Sequence, residues 1–313
     1  MPAIVIFAPT ATGKTALTVK LFGKGSPYFF KDNAEIISAD SMAVYKYMNI
    51  GTAKPDKNLT DQIPHHLIDV VTPDIQFSVS DFVERADEAA GGIFEKGRIP
   101  VIAGGTGFYI RNFLLGLPDT PESDPELRNN LKVELEKSGL EFMYQKLKVV
   151  DPQSAEKINQ NDAYRILRAL EVFYLTGKPR SSFELSEKLR EQYDFTIIIL
   201  ERDRNDLYKR IDSRIEQMFE HGLAEEIDTL KKMGYTKEMP GMQAIGYREF
   251  FMDLKSEDEI KEKIKHDSHR YAKKQYVFMK GIPNARTFFI PEEVEYTDEI
   301  INYLKDKINL IEN

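Results

Sequence analysis

The first fifteen residues place a strong constraint on the fold. The apolar run from Ala3 to Phe7 leads directly into Ala8-Pro9-Thr10-Ala11-Thr12-Gly13-Lys14-Thr15. A buried strand, a tight loop ending in Gly-Lys-Thr and a following helix is the arrangement in which backbone N–H groups surround a phosphate chain. The N-terminus of that helix adds its dipole to the same anion. The segment therefore predicts a polyphosphate site at the end of a first strand.

Each residue of this loop is expected to contact the phosphates. Lys14 would neutralise phosphate charge, and the hydroxyl of Thr15 would hold Mg²⁺, the expected cofactor. The usual pattern opens with glycine, whereas this chain has Ala8, whose β-carbon is expected to hinder a close backbone approach. The competing interpretation is a chance Gly-Lys-Thr at the start of a helix.

Short apolar runs alternate with helical segments along much of the chain. The strand-like runs, each bounded by charge, glycine or proline, are residues 3–7, 35–38, 100–103, 196–200 and 287–290. Apolar residues at helical spacing occupy residues 14–22, 80–95, 108–115, 206–233 and 257–280. Continuous apolar runs suit strands buried on both faces, and the alternation favours a doubly wound parallel sheet.

Between Leu117 and Tyr193 the alternation stops, and every periodic segment has helical spacing. The predicted helices there are residues 124–136, 140–149, 161–175 and 181–192. The segment that leads into this region, residues 117–125, is an acidic linker with several prolines, and it ends in a helix cap followed by a proline at the first helical position. We therefore predict an α/β core of residues 1–117 and 193–313 that carries an inserted all-helical domain, residues 118–192.

Composition narrows the possible functions. The 313 residues contain no cysteine, which excludes disulfides, thiolate zinc sites and a cysteine nucleophile. No apolar stretch approaches the roughly 20 residues that span a bilayer, so we expect a soluble cytoplasmic protein with no membrane partner. The net charge of −8 argues against nonspecific DNA binding, so a nucleic-acid site should be a local basic channel. Nothing resembles a coiled coil, and a monomer is expected.

The ends of three predicted strands carry the candidate site residues, because ligands of open α/β sheets gather at the carboxyl ends of strands. The loop follows the first strand, Ala39-Asp40-Ser41-Met42 the second, and Gly104-Gly105-Thr106-Gly107 the third. An ATPase with such a loop also needs an acidic residue at the end of a later strand, where this chain has glycines. Asp40 is then the well-placed carboxylate, as a metal partner, a general base or a helix cap. Thr106 is either a substrate contact or a turn hydroxyl.

Longer motifs extend over nearly the whole chain. Besides the loop they are residues 35–41, 49–55, 64–69, 104–107, 161–162, 165–172, 243–247 and 271–275. On these residues the sequence resembles the bacterial tRNA dimethylallyltransferases, also called tRNA isopentenyltransferases. The resemblance implies a P-loop NTPase-like core that takes a dimethylallyl group from dimethylallyl diphosphate. The acceptor it implies is N6 of the adenosine next to the anticodon on its 3′ side, in the anticodon stem-loop of tRNA.

The resemblance also implies roles for individual residues. Asp40 would accept the proton from N6, Thr106 would orient the adenine or a phosphate, and Lys14 would stabilise the departing diphosphate with Mg²⁺ on Thr15. The remaining implied tRNA contacts are Ser41, Met42, Ala43, Arg128, Tyr164, Arg165, Ile166, Leu167 and Arg168. The family commonly has glutamine where this chain has Ala43, which leaves adenine recognition to other groups.

Arg210 and Arg214 lie four residues apart on one predicted helix, so both can face the diphosphate. The alternative is that they form ion pairs with neighbours such as Glu201, Asp206 or Glu216.

Three other functions are compatible with parts of the sequence. An enzyme that prenylates free AMP, ADP or ATP would share the loop and Asp40, although the helical insertion argues for tRNA. A small-metabolite kinase needs only the loop and would turn over ATP. A non-catalytic RNA-binding protein would keep an inactive loop, which the joint presence of Lys14, Thr15 and Asp40 disfavours.

Overall fold

The computed structural model describes residues 1–26, 33–183, 186–292, 294 and 298–309. Within these ranges the sheet has six strands, which are β1 (Pro2–Phe7), β2 (Ala34–Ala39), β3 (His65–His66), β4 (Ile99–Gly104), β5 (Asp194–Arg202) and β6 (Arg286–Ile290). Their order is β3-β2-β4-β1-β5-β6, and every neighbouring pair is parallel. The predicted α/β class with a parallel sheet is confirmed.

Helices account for most of the remaining regular structure. Over the same ranges they are α1 (Lys14–Phe22), α2 (Lys57–Gln62), α3 (Val79–Glu95), α4 (Gly107–Leu115), α5 (Pro125–Ser138), α6 (Leu140–Val150), α7 (Pro152–Lys157), α8 (Ala163–Thr176), α9 (Arg204–Glu220), α10 (Leu223–Lys232), α11 (Glu257–Met279) and α12 (Asp298–Asn309). Local signals set several starts: Ser78 and Asp81 form a capping box before α3. Asp124 caps α5 ahead of Pro125. None of the helices described is long and apolar enough to cross a membrane.

Two predicted helices differ from the structure. The segment 206–233 forms two helices, α9 and α10, because Gly222 adopts a left-handed φ of 94° between them. The segment 181–192 is not a helix in its described part, which begins with a 3₁₀ turn at Arg180–Ser182, while residues 184 and 185 lie outside the described ranges. The Ser186 hydroxyl accepts a hydrogen bond from the Lys188 amide, and such local bonds compete with helical ones.

The chain divides into two compact units. One comprises Met1–Leu114 and Leu189–Asn313 and contains the sheet, and the other comprises Leu115–Lys188. The second unit holds α5 to α8, and its bounds differ by a few residues from the predicted 118–192. Its core is built from all four of these helices and includes Leu131, Met143 and Ala155.

The middle of the sheet is buried on both faces. Every residue of β2 and β4 is buried, which fits the mainly apolar sequences of these strands. Ile4, Ile6 and Val101 are fully buried in the largest core cluster. Each such side chain contributes about 1.5–3 kcal/mol by leaving water. This packing brings the carboxyl ends of β1, β2 and β4 to one edge of the sheet.

Candidate active site

A cavity of about 1300 Å³ opens at this edge of the sheet. Its walls include loop residues 9–15, the turn after β2, the glycines after β4 and side chains from α9 and α11. All of them belong to the unit that contains the sheet. The structure therefore brings the three predicted strand ends together around one space, as expected for an open parallel sheet.

The phosphate loop, residues 8–15, has its unusual backbone at Ala11 and Gly13, with φ of 61° and 107°. Ala8 is not left-handed, and it is buried in the apolar core. Its amide donates to the Gly104 carbonyl at 3.2 Å. Glycine is therefore not needed at position 8, and the left-handed cost of about 1–2 kcal/mol falls on Ala11 instead.

The two arginines predicted to reach the diphosphate both contact the phosphate loop. Arg210 donates from Nε to the Ala11 carbonyl at 2.9 Å, and Arg214 donates from Nη1 to the Thr10 hydroxyl at 3.2 Å. Two acids named as alternative partners are paired elsewhere: Asp206 with Arg202, and Glu216 with Lys261 and Lys265.

Gln275 of α11 was not predicted as a site residue, although it lies in one of the quoted motifs. Its Oε1 accepts from the Thr10 amide at 3.3 Å, and its Nε2 donates to the Gly105 carbonyl at 2.7 Å. The side chain is buried, so the bonds are shielded from water. Gln275 thus joins the phosphate loop to the end of β4.

Charges in the cavity influence each other. Burial lowers the pKa of Lys14 to about 8, while Asp40 opposes this shift and Arg214 adds to it. Burial likewise lowers the pKa of Arg214, again opposed by Asp40. The two poorly hydrated cations Lys14 and Arg214 thus share the nearby carboxylate of Asp40, an environment that favours an incoming anion.

Asp40 follows β2 and is partly buried. Its Oδ1 accepts from the amides of Met42 and Ala43 at 2.8 and 3.3 Å. These bonds close the turn of residues 41–44 and do not cap a helix, because no helix begins there. No hydrogen bond to Oδ2 is found among the described residues. One oxygen therefore fixes the carboxylate, and the other can accept a proton.

Thr106 connects two strand ends. Its hydroxyl accepts from the Ser41 amide at 3.0 Å and donates to the Ser41 hydroxyl at 3.3 Å. Tyr271 of α11 lies against it: burial raises the pKa of Tyr271 to about 12, the Asp40 charge adds to this, and a hydrogen bond with Thr106 opposes it. Tyr271 was not predicted as a site residue. The sequence motif of residues 271–275, which contains both Tyr271 and Gln275, could have indicated it.

The glycines after β4 are required by packing. A β-carbon on Gly104 would lie 2.1 Å from the Ala39 carbonyl oxygen, and one on Gly105 would lie 2.4 Å from Gln275 Nε2. One on Gly107 would lie 2.5 Å from the β-carbon of Phe278. The sheet edge therefore leaves no room for the acidic residue of an ATPase at this strand end.

Two threonines of the loop are suited to polar ligands. Within the described ranges, Thr12 Oγ1 is the one buried side-chain nitrogen or oxygen without a hydrogen-bond partner. An unmade bond of this kind costs about 1–3 kcal/mol, and a phosphate oxygen in the cavity that Thr12 lines would supply it. Thr15 is exposed in the first turn of α1.

The donor set suits Mg²⁺ held jointly by protein and phosphate. No group of three or more His, Cys, Asp or Glu side chains is placed to hold a metal in the part of the chain that the structure describes. Mg²⁺ at phosphate sites takes few protein ligands and completes its shell with phosphate oxygens and water. The Thr15 hydroxyl fits that type of coordination.

In the helical unit, two of the predicted tRNA-binding arginines share one carboxylate. Arg128 and Arg168 each donate to Glu171 Oε2 at 2.8 Å. Glu171 is fully buried and also accepts from the Ser123 hydroxyl and the Asp124 amide. Burial raises the pKa of Glu171, but the hydrogen bonds from Ser123, Arg168 and Arg128 outweigh it and lower the pKa overall.

The predicted tRNA contacts on α8 lie on two different faces. Tyr164 is 61% exposed, with the Arg128 guanidinium 4.8 Å from its ring centroid, and the Arg165 side chain is 68% exposed. Ile166 and Leu167 are buried in the core of the helical unit. Their side chains pack in that core, and their predicted contact with tRNA stays a prediction.

This chain is similar in sequence to known proteins over most of its length. Residues 43–281 match the family described as IPP transferase. The tRNA dimethylallyltransferase of Thermoanaerobacter sp. (strain X514) is 41% identical over 98% of both chains. That of Clostridioides difficile (strain 630) is 42% identical over 98% of this chain and 99% of its own.

Solved structures agree with these matches. The full-length tRNA isopentenylpyrophosphate transferase of Bacillus halodurans aligns with a TM-score of 0.67 at 34% identity, covering 98% of this chain and 95% of its own. A eukaryotic dimethylallyltransferase acting on tRNA aligns with a TM-score of 0.80 at 28% identity, covering 98% of this chain and 79% of its own.

Proposed function

This chain belongs to the IPP transferase family, and on that premise we propose that it transfers a dimethylallyl group from dimethylallyl diphosphate to N6 of the adenosine 3′-adjacent to the anticodon in tRNA. The relatives and structural neighbours act on tRNA by name, which favours tRNA over a free adenine nucleotide as acceptor. The observation that carries the proposal is the single cavity in which the phosphate loop and Asp40 meet.

The phosphate loop would hold the diphosphate of the donor. Loop N–H groups and the start of α1 attract the anion, and Lys14, Arg210 and Arg214 add positive charge. The Thr12 hydroxyl has an unmet bond that a phosphate oxygen satisfies. Because negative charge grows on the diphosphate as the allylic C–O bond breaks, donors fixed in advance stabilise the transition state more than the substrate.

Mg²⁺ is the expected cofactor, and the Thr15 hydroxyl is the residue that would hold it. When bound, the ion supplies charge neutralisation to the leaving diphosphate. Thr15 lies in the first turn of α1, and both it and Lys14 line the cavity.

Asp40 would act as the general base. The N6 nitrogen forms a bond to the allylic carbon, the C–O bond breaks, and the diphosphate departs with the bonding electrons. The proton released from N6 moves to Asp40 Oδ2, the oxygen that the Met42 and Ala43 amides leave unused. Thr106 would orient the adenine through its link to Ser41.

The proposed tRNA contacts include residues of each unit. Ser41, Met42 and Ala43 are proposed to line the adenine pocket, reached when the base leaves its stack at a cost of a few kcal/mol. In the helical unit the proposed contacts to the anticodon stem-loop are Arg128, Tyr164, Arg165 and Arg168. Tyr164 offers an exposed ring for base stacking and Arg165 an exposed cation for phosphate. The active species is proposed to be a monomer.

The test is to incubate the purified protein with radiolabelled dimethylallyl diphosphate, Mg²⁺ and either unmodified tRNA or AMP, ADP and ATP. We expect label on the tRNA adenosine alone, with no dependence on added ATP. The matched control is a tRNA with a different base at the target position, which should stay unlabelled.

Label on the free nucleotides alone would identify an adenylate prenyltransferase. Label on no acceptor, together with steady hydrolysis of ATP, would identify a phosphate-transfer enzyme and overturn the proposal.

A further inference from the structure

Arg202, the last residue of β5, carries a guanidinium that the proposed mechanism does not use. Its side chain is 0% exposed. It donates from Nε and Nη2 to the Thr12 carbonyl at 3.2 and 3.0 Å, and from Nη1 to Asp206 Oδ2 at 2.7 Å. Two further bonds reach the carbonyls of Pro291 and Val294, beyond β6.

The two bonds to Thr12 fix the orientation of one peptide unit of the phosphate loop. Peptide units are planar and trans, so the carbonyl of one residue and the N–H of the next point in opposite directions. With the Thr12 carbonyl bound to Arg202, the Gly13 N–H points away from Arg202. Gly13 lines the cavity and has a φ of 107°; because glycine adopts many backbone conformations without steric cost, an outside contact can decide which way its N–H points.

We infer that Arg202 is a positioning residue that holds the Gly13 N–H toward the diphosphate. The inference rests on the proposed function, because it assumes that the phosphate loop binds the diphosphate of the donor. Arg202 itself does not contact the phosphates; it acts through the Thr12–Gly13 peptide unit.

Asp206 separates this role from simple structural pairing. If Arg202 served only to pair with Asp206, substituting either residue should have the same effect on anion binding, because each substitution leaves the other residue without its partner. Asp206 contacts the guanidinium on the Nη1 side, whereas Nε and Nη2 hold the phosphate loop. Changing Asp206 therefore breaks the ion pair and leaves the loop contacts in place.

The experiment measures binding of inorganic pyrophosphate with Mg²⁺ by calorimetry in the wild-type protein and in Arg202→Met, Arg202→Lys and Asp206→Asn. Arg202→Met should weaken binding roughly tenfold, since two charge-assisted bonds to the loop are lost. Arg202→Lys, which can restore one such bond, should lie between Arg202→Met and the wild type. Asp206→Asn should bind within about twofold of the wild type while losing as much thermal stability as Arg202→Lys.

Steady-state kinetics give a second readout that loss of stability alone would not produce. Arg202→Lys should raise the KM for dimethylallyl diphosphate and leave the KM for tRNA unchanged. Equal pyrophosphate affinity in Arg202→Lys and the wild type, or equal weakening in Arg202→Lys and Asp206→Asn, would overturn the inference.

A Lys14→Ala variant separates this inference from the proposed function. If Lys14→Ala binds pyrophosphate as well as the wild type does, the loop is not the diphosphate site, and both proposals fail. If Lys14→Ala weakens binding and the Arg202 variants do not, only the role of Arg202 is overturned.

Discussion

Cations are compensated differently in the two units of the molecule. In the unit with the sheet, Lys14 and Arg214 interact with Asp40 across the cavity, and no ion pair within 4 Å joins them to a carboxylate among the described residues. In the helical unit, Arg128 and Arg168 are both bonded to the buried carboxylate of Glu171. A cation whose donors are not taken up by a carboxylate can bind an incoming anion strongly. A cation that is already bonded to a buried carboxylate mainly fixes the local geometry.

The largest expected effect tests Asp40, the carboxylate that interacts with Lys14 and Arg214. Asp40→Asn should lower kcat by roughly 10³-fold, because the amide keeps the shape but cannot accept the proton from N6. The tRNA Kd should hardly change. The measurement is single-turnover transfer of labelled dimethylallyl groups at saturating tRNA.

The matched control lies in the helical unit. Asp162→Asn removes the same charge from the cap of α8, where its carboxylate pairs with Arg165, and should keep kcat within about twofold. Similar losses in both variants would mean that net charge, rather than proton transfer at Asp40, controls turnover.

The second largest effect is expected on the stability of the helical unit when Glu171, the carboxylate shared by Arg128 and Arg168, is changed. Glu171→Gln should destabilise the helical unit by about 3 kcal/mol, because two arginines lose their charge partner in a buried setting. Hydrogen exchange of the α8 amides during urea titration measures this. Asp40→Asn, followed through the β2 and β4 amides in the same titration, should cost much less stability, since Asp40 acts on Lys14 and Arg214 without a direct ion pair among the described residues. A loss as large as that of Glu171→Gln would erase the contrast between the two units.

The pH dependence of anion binding offers a third test. The pKa of Lys14 is lowered to about 8, so its charge is present below that pH and is lost above it. Affinity for magnesium pyrophosphate should therefore decline as pH rises through about 8, by up to roughly tenfold per pH unit. Calorimetry from pH 6.5 to pH 9.5 measures the profile.

Lys14→Arg keeps its charge over this range and serves as the control, since it corrects for ionisation of the ligand. The inflection should be absent in Lys14→Arg and absent from tRNA binding by either protein. An unchanged profile in Lys14→Arg would assign the inflection to another group.

The smallest expected effect is in tRNA binding. Arg165→Ala should weaken binding roughly threefold and reduce the salt slope by about 0.7, the value for one phosphate contact to a single strand. Lys137→Ala, an equally charged change at an exposed position of α5, should leave the slope unaltered. Filter binding at several salt concentrations compares the two, and equal slopes would remove Arg165 from the proposed contacts.

The sheet and the strand ends were predictable because they depend on local patterns. Apolar runs mark the buried strands, and the loop motif marks the anion site. The break at Gly222 was missed because one glycine within a long periodic segment is a weak signal until its φ is known. The two-residue strand β3 is too short to produce any pattern.

Residues that act through long-range contacts were not predictable in the same way. Arg202 is far in sequence from Thr12, and nothing local indicates that its guanidinium binds that carbonyl. Similarly, the sequence of α8 does not show that the Arg168 side chain is bonded to Glu171 while the Arg165 side chain is exposed to solvent. Helical spacing places such residues near one face, but burial decides which of them a partner can reach.

The glycine at the end of β4 also bears on how this fold can evolve. Any side chain at position 104 would begin 2.1 Å from the carbonyl oxygen of Ala39, so an aspartate there requires β2 to move. Because ATP hydrolysis on such a sheet relies on an acid at a strand end, no single substitution at Gly104 can bring that activity within reach. In this chain, gaining an acid at that position therefore requires a rearranged backbone, which puts a barrier between the present sheet edge and the hydrolysis of nucleotides.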